Sequence, residues 1–285
     1  MKEERRADSR DKTGPDRAIS QSVTRALAVL DLLADAGEDI GVREVARRLS
    51  IAPSIAQRLL ATLEAGGYVE HASDGMRYRI GYRAFQVGRM FLAKNDLRGS
   101  SLPELREMAE RDQINAYLGV MRDGAMVYLE ALQSTGPIAI TSAPGSRGAL
   151  HSTAFGKALL AELTDDEVRR MLGPEPYRAL TAKTRTTFGS LQKELSEARR
   201  LGYAVSDQEN LDAIYAVGAV IRDASGQAVA GISGAVPHSQ LQSKDREKLR
   251  DIVTTAAERI SRRLGAAPAH LRRTREYSDK QKDPC

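Results

Sequence analysis

The chain has 285 residues, 41% of them hydrophobic and 28% charged. This balance suits a folded protein of two domains and excludes collagen-like, fibrous and largely disordered chains. Its one cysteine, Cys285, excludes an internal disulfide framework and a cysteine-based zinc site. The net charge of +5 sits at the ends, with 17 basic against 14 acidic residues over 1–98, 21 against 21 over 99–265, and 5 against 3 over 266–285. A basic bias beside a neutral domain suits a nucleic-acid-binding segment.

No apolar run approaches the roughly 20 residues of a spanning helix. The opening stretch MKEERRADSRDKTGPDR has no apolar core of the kind a secretory signal needs. The expected location is therefore the cytoplasm, away from any membrane. Residues 1–18 are charged and aperiodic, which predicts a disordered tail. From Ser22 the period becomes helical, with Val23, Leu27, Leu30, Leu33 and Ala34 on one face up to Gly37. A second short helix carries Val42, Val45, Ala46 and Leu49. The third begins at Pro53, where a first helical turn tolerates proline, and stops at Gly66-Gly67. The period then changes to two, with strands at Tyr68–His71 and Arg77–Ile80 around Ser73-Asp74-Gly75. Three short helices and a ribbon predict a winged helix-turn-helix over 19–81, followed by a connecting helix over 82–98.

A second domain is expected over 99–265. Its first helix reads from about Pro103 to Arg111. Asn115–Arg122 and Ala125–Leu132 form a hairpin around Asp123-Gly124. A strand at Ile138–Ser142, helices at His151–Leu163, Asp165–Leu172 and Ser190–Leu201, and strands at Ala216–Arg222 and Gln227–Ser233 follow. A last helix covers Lys244–Leu264, and residues 266–285 read as a second disordered tail. Strands and helices without regular βαβ alternation predict an antiparallel α/β sandwich, an α+β / α/β fold class for the two-domain chain.

The third helix presents Ser54, Gln57, Arg58 and Ala61 outward. Near the start of a recognition helix, glutamine can pair with adenine, and arginine with guanine or a phosphate. A solvated helix face accounts for the same residues equally well. Arg77 and Arg79 share one strand face of the ribbon, where a wing would meet phosphates.

Five segments together resemble the IclR family of bacterial transcriptional regulators. They are SQSVTRALAVL at Ser20–Leu30, RLLATLEAGGY at Arg58–Tyr68, LHSTAFGKALL at Leu150–Leu160, GYAVSDQEN at Gly202–Asn210 and GISGAVP at Gly231–Pro237. The resemblance implies a one-component regulator that binds double-stranded operator DNA. It also implies a GAF-like effector domain binding a small organic acid, and a homodimer or dimer of dimers. Carried over position by position, it implies an effector pocket at Ala154, Phe155, Ser206, Ile214, Ala216, Ser233 and Ala235. Many members have Asp at the position of Ser206, Arg at Tyr215, Cys at Ala216 and Ser at Ala235. The pocket here is thus less polar and has an aromatic side chain, which implies a larger acid than the short keto acids, aromatic in character. The expected pose sets a carboxylate at the start of the 151–163 helix, with the Ser206 and Ser233 hydroxyls donating to it.

Other classes of function are a metabolite-binding module without specific DNA recognition and an enzyme using residues 99–265. His151, Ser152 and Asp207 supply hydrolase residue types, but no G-x-S-x-G elbow surrounds a serine. No Walker or dinucleotide glycine motif occurs, and the histidines lack metal-ligand spacing. Neither catalysis nor a cofactor or metal is expected.

Overall fold

The computed structural model describes residues 19–93, 96–134 and 143–268. The tail expected at 1–18, the strand expected at Ile138–Ser142 and the tail from 269 onward lie outside the described residues. Among the described residues no helix is long and apolar enough to cross a membrane. The chain forms two compact units, one up to residue 94 and one from residue 95.

The first unit holds α1 (Gln21–Asp35), β1 (Ile40–Gly41), α2 (Val42–Arg48), α3 (Pro53–Ala65), β2 (Val69–His71), β3 (Arg77–Ile80) and α4 (Tyr82–Ala93). Pro53 opens α3, and Gly67 turns the chain into β2 with φ at 73°. Val29 and Leu33 of α1, Val45 of α2, Ala56 and Leu60 of α3 and Tyr78 of β3 form one buried cluster. The expected ribbon has a third member, because β1 pairs with β3 through Ile40 opposite Tyr78.

The second unit begins with α5 (Asp96–Arg106), which widens into a π turn over Glu107–Arg111. This helix starts seven residues before the proline expected to open it. Pro103 lies inside it, and burial of Leu97, Ser101 and Leu105 holds the turns on either side. The connecting helix expected over 82–98 thus meets α4 and the start of α5. Next come β4 (Asn115–Arg122), β5 (Ala125–Leu132), β6 (Arg147–Gly148), α6 (Ala154–Leu160), α7 (Asp165–Leu172) and α8 (Phe188–Leu201). The unit closes with β7 (Tyr203–Asp207), β8 (Ile214–Arg222), β9 (Ala228–Pro237) and α9 (Ser243–Arg263). Asp123 and Gly124 turn the β4–β5 hairpin with φ at 47° and 72°, the positive pair such a two-residue turn requires.

The six strands form one antiparallel sheet in the order β6-β5-β4-β9-β8-β7. Its two faces bury separate cores. Leu105, Val217, Ile232, Leu249, Val253 and Ile260 join the sheet to α5 and α9. Tyr117, Phe155, Leu159, Leu191 and Leu195 join its other face to α6 and α8. The chain is therefore a two-unit α+β protein whose second unit is an antiparallel sheet between helices.

Candidate functional site

In the first unit Ser54, Gln57, Arg58 and Ala61 are exposed along α3, as their spacing requires. Gln57 Nε2 reaches the Tyr78 hydroxyl at 3.5 Å, so this side chain leans toward the ribbon. Arg58 leans the other way, onto a cleft of about 350 Å³ between α1 and α3 that Arg25 also lines. The ribbon arginines are exposed, but each already holds a carboxylate. Arg77 Nε is 2.6 Å from Asp74 and Arg79 Nε is 2.9 Å from Glu70. The hydrogen bond from Arg77, with backbone N–H bonds from Met76 and Arg77, brings the Asp74 carboxyl down to about 2. Arg47 and Arg48 are likewise spent on Glu44. Among the described residues of this unit Arg25, Arg43, Arg58 and Arg83 have no carboxylate partner, and Arg83 bonds the Gln86 side chain instead. Sequence reasoning missed Arg25 and Arg43, because i,i+3 and i,i+4 pairing by neighbouring acids was the filter it lacked.

In the second unit the seven residues carried over from the resemblance meet around one cavity of about 50 Å³. Strand pairing explains part of this. Ser206, Ala216 and Ala235 are directly opposite one another across β7, β8 and β9, and Ser233 lies one pleat along. Ala154 and Phe155 close the space from α6. Tyr117, Tyr128, Thr153, Asn210 and Leu211 complete the wall, and none of these five was anticipated from the sequence. The Tyr128 ring lies 5.3 Å from Phe155 and 5.7 Å from Tyr117, which makes an aromatic row along one side. Burial pushes the Tyr117 phenol well above its ordinary pKa, so it is a neutral hydroxyl.

Such a volume holds one or two water molecules at roughly 30 Å³ each. A larger ligand therefore needs lining side chains to move. A larger cleft of about 620 Å³ lies between α6, α8 and α9. Its two arginines are committed, Arg199 to the Ala161 and Leu163 carbonyls and Arg222 to both oxygens of Glu162. Size therefore does not identify the site; the convergence of the seven carried-over residues on the smaller cavity does.

Two expectations about the cavity need correction. The helix expected over His151–Leu163 is α6, seven residues from Ala154 to Leu160. The three residues before it spend their side chains elsewhere. His151 Nε2 meets the Arg178 carbonyl at 2.9 Å, Ser152 Oγ donates to Asn210 Oδ1 at 2.9 Å, and Thr153 Oγ1 donates to the Ala149 carbonyl at 2.7 Å. The serine hydroxyl protons are also already given in this structure. Ser206 Oγ donates to the Ser152 carbonyl at 2.7 Å and Ser233 Oγ to the Val217 carbonyl at 2.8 Å. A hydroxyl has one proton, so in this arrangement each serine presents lone pairs.

Behind the cavity lies a buried charge cluster that the sequence reading overlooked. Lys157 of α6 is fully buried, and its Nζ is 2.7 Å from both oxygens of Glu209 and bonded to Glu194. Arg185 Nε bonds the other oxygen of Glu194 at 2.5 Å. Burial pushes the Glu209 carboxyl above the usual range, with the Lys157 charge opposing it. The signal was present as a single charged residue inside the apolar run AFGKALL.

The hydrolase residue types separate. His151 and Ser152 have the partners given above, and Asp207 faces His238 at 3.3 Å and Arg246 at 3.7 Å. Burial lowers the His151 pKa and keeps the ring neutral near pH 7.

Comparison with known proteins matches residues 22–73 to the IclR helix-turn-helix domain and residues 90–262 to the bacterial transcriptional regulator IclR C-terminal model. The HTH-type transcriptional regulator BhcR of Paracoccus denitrificans is 33% identical over 87% of this chain and 88% of its own. The crystal structure of an IclR transcriptional regulator from Alicyclobacillus acidocaldarius superposes with a TM-score of 0.77 at 26% identity, covering 86% of this chain and 98% of that one. An IclR homolog from Microbacterium hydrocarbonoxydans, crystallised with 4-hydroxybenzoate, superposes with a TM-score of 0.74 at 23% identity, covering 87% of this chain and all of that one.

Proposed function

The chain belongs to the IclR family of bacterial transcriptional regulators, and from that premise we propose how it reads DNA and what switches it. Ser54, Gln57 and Arg58 are the base-facing set on α3, with Arg58, Arg25 and Arg43 supplying unpaired positive charge to phosphates. Arg77 and Arg79 are secondary, since each must give up a carboxylate before it can hold a phosphate. The ligand is an organic acid with an aromatic body, lying against Phe155, Tyr128 and Ile214. The observation that carries this reading is the convergence of the seven carried-over residues on one cavity with an aromatic row. The protein of the same fold crystallised with 4-hydroxybenzoate holds an acid of this class. The separate commitments of His151, Ser152 and Asp207 support a binding domain over an enzyme. Such a regulator works where the DNA is, in the cytoplasm.

Fluorescence anisotropy on DNA from upstream of the chain's own gene tests the first half. Each cation removed from a phosphate should lower the slope of log affinity against log salt by about 0.9. Arg58→Ala is expected to lower it by about that amount, and Arg77→Ala by less than half as much, because Asp74 already neutralises Arg77. Equal decreases for the two variants would contradict the ion-pair argument, and absence of binding at every salt concentration would end the DNA-reading assignment. If Arg58 reads a base, its removal also costs more on the operator than on random DNA.

Self-association is the second part of the proposal. Ile19, Val23 and Leu27 of the first unit are more than half exposed, as is Phe85 of α4, with Val87 at 49%. Apolar side chains this open suit a partner surface, and a lone helix-turn-helix covers too little DNA, which pairing of half-sites about one helical turn apart remedies. Sedimentation velocity at micromolar concentration is expected to give a dimer or tetramer; the double variant Val23→Ser, Phe85→Ser should shift it toward monomer. A monomer for the unmodified chain, with and without DNA, would remove this part.

A further inference from the structure

We infer that Tyr78 of β3 is a positioning residue for DNA reading, whose hydroxyl holds the Gln57 carboxamide in the pose that takes adenine in the major groove. This inference rests on the reading of α3 as the base-facing helix. Of the three base-facing side chains, Gln57 alone is held from behind. Its Nε2 meets the Tyr78 hydroxyl at 3.5 Å, and it has no other side-chain hydrogen bond among the described residues. The Ser54 hydroxyl and the Arg58 guanidinium have no such partner there. Gln57 lies one turn into α3, which begins at Pro53, in the part of a recognition helix that reaches base edges. Gln57 is exposed, whereas Tyr78 is 3% exposed. A buried ring thus presents its polar end to an exposed reader.

The ribbon gives Tyr78 little freedom of its own. Its strand is the middle one of three, with Ile40 opposite Tyr78 on one side and His71 on the other. The His71 ring packs against it with centroids 4.2 Å apart, and His71 Nε2 is 3.5 Å from Glu64 of α3. The phenol oxygen is thereby fixed relative to α3. The chemistry of a carboxamide permits two tasks at once. Adenine N7 accepts one N–H of a glutamine, and its N6 amino group donates to the glutamine oxygen. A carboxamide has two N–H protons, so Gln57 can give one to Tyr78 and the other to adenine. The phenol both donates and accepts, so it holds whichever end of the carboxamide faces it. An unrestrained glutamine loses rotamer freedom when it pairs with a base. One already held loses less, and the gain appears only with the base that its pose fits.

Selection of bound sequences from random DNA with the full chain, followed by fluorescence anisotropy on the selected site, tests this. Gln57→Ala identifies the position that Gln57 reads, as the one where base preference relaxes. The expected base there is adenine, and a preference for another base overturns the adenine pose. Tyr78→Phe keeps the ring and its packing on His71 and removes only the hydroxyl. It is expected to weaken binding about three- to tenfold on the selected site. Sites lacking that adenine should be unaffected, and a Gln57→Ala background should show no further loss. An equal loss on every sequence, a further loss without Gln57, or no loss at all overturns the positioning role while leaving Gln57 a reader. If Gln57→Ala relaxes no position, the base-facing reading of Gln57 falls as well. A measurement on the unmodified chain decides the matter should Tyr78→Phe fold poorly. Without DNA, nitrogen-15 relaxation of the Gln57 side-chain amide is expected to give an order parameter above about 0.6. A lower value means a carboxamide that nothing holds, and it overturns the inference.

Discussion

Lys157→Met is expected to lower the unfolding free energy of the effector unit by about 3–5 kcal/mol at pH 7, the cost of breaking a buried ion pair from one side. The methionine fills the space left by the lysine stem, so the loss comes from charge and not from a cavity. Glu209 is left 4% exposed with no cation against it, and Glu194 keeps only Arg185. The Glu209 carboxyl is already above its ordinary pKa because burial penalises the charge, with Lys157 opposing. Removing Lys157 raises it further. Between its unfolded and folded values the native chain then holds a proton that the unfolded chain has released. Stability of the variant therefore falls as pH rises through that window, by about 1.4 kcal/mol per unit. The deficit should be largest at neutral pH and shrink as pH falls toward the ordinary glutamate range. Urea titrations at pH 5 and pH 7.5 check this. The double variant Lys157→Met, Glu209→Leu should recover more than half of the loss, since a buried pair replaced whole by apolar groups is close to neutral. A deficit independent of pH, or no recovery in the double variant, would assign the effect to packing.

The same cluster bears on the switch. Lys157 lies two residues from Phe155, and Glu209 is next to Asn210, so the pair ties the α6 wall of the cavity to the β7–β8 segment. A ligand alters DNA affinity only if it binds two arrangements unequally.

What the sequence made legible was local. The β4–β5 hairpin is written in Asp123-Gly124, α3 in Pro53 and Gly66-Gly67, and the ribbon in the alternation of Tyr78 and Ile80 with two arginines. β1 was not legible, because two residues show no period and Ile40 becomes a strand only by pairing with Tyr78. Pro103 misplaced the start of α5, since proline more often opens a helix than sits inside one. The pocket residues were legible as types, through the resemblance to a family. Their hydrogen-bond direction was not. Ser206 and Ser233 became acceptors only when folding brought the Ser152 and Val217 carbonyls to them from 54 and 16 residues away. The same holds for Lys157 and Glu209, which are 52 residues apart. Direction and pairing are tertiary facts, and chemistry at the site depends on them.

Gly218→Ala is expected to damage the effector unit as severely as loss of Lys157, although it adds one methyl group. Gly218 lies in β8 beneath the start of α6, where a Cβ would stand 2.2 Å from the Phe155 nitrogen and 2.4 Å from the Ala154 carbonyl carbon. Both are backbone atoms, so no side chain can turn aside and the helix must lift from the sheet. Gly119 and Gly231, paired across β4 and β9, make the neighbouring room in which the Phe155 side chain lies, at 2.5 and 2.9 Å from their would-be Cβ atoms. The glycines thus set the height of α6 over the sheet, and with it the shape of the cavity that Ala154 and Phe155 close. Overpacking of a core usually costs about 1–3 kcal/mol, and a backbone-to-backbone clash belongs at or above the top of that range. For a unit of this size roughly 3 kcal/mol corresponds to a fall in melting temperature of about 6–12 °C. Gly189→Ala is the matched control. It adds the same methyl near the start of α8, with nothing within 4 Å, and should stabilise by about 0.4–1 kcal/mol through the unfolded chain. Thermal unfolding followed by circular dichroism compares the two directly. Opposite signs support the close approach of α6 to β8; a Gly218→Ala variant that melts with the parent would mean that α6 does not rest on β8 there.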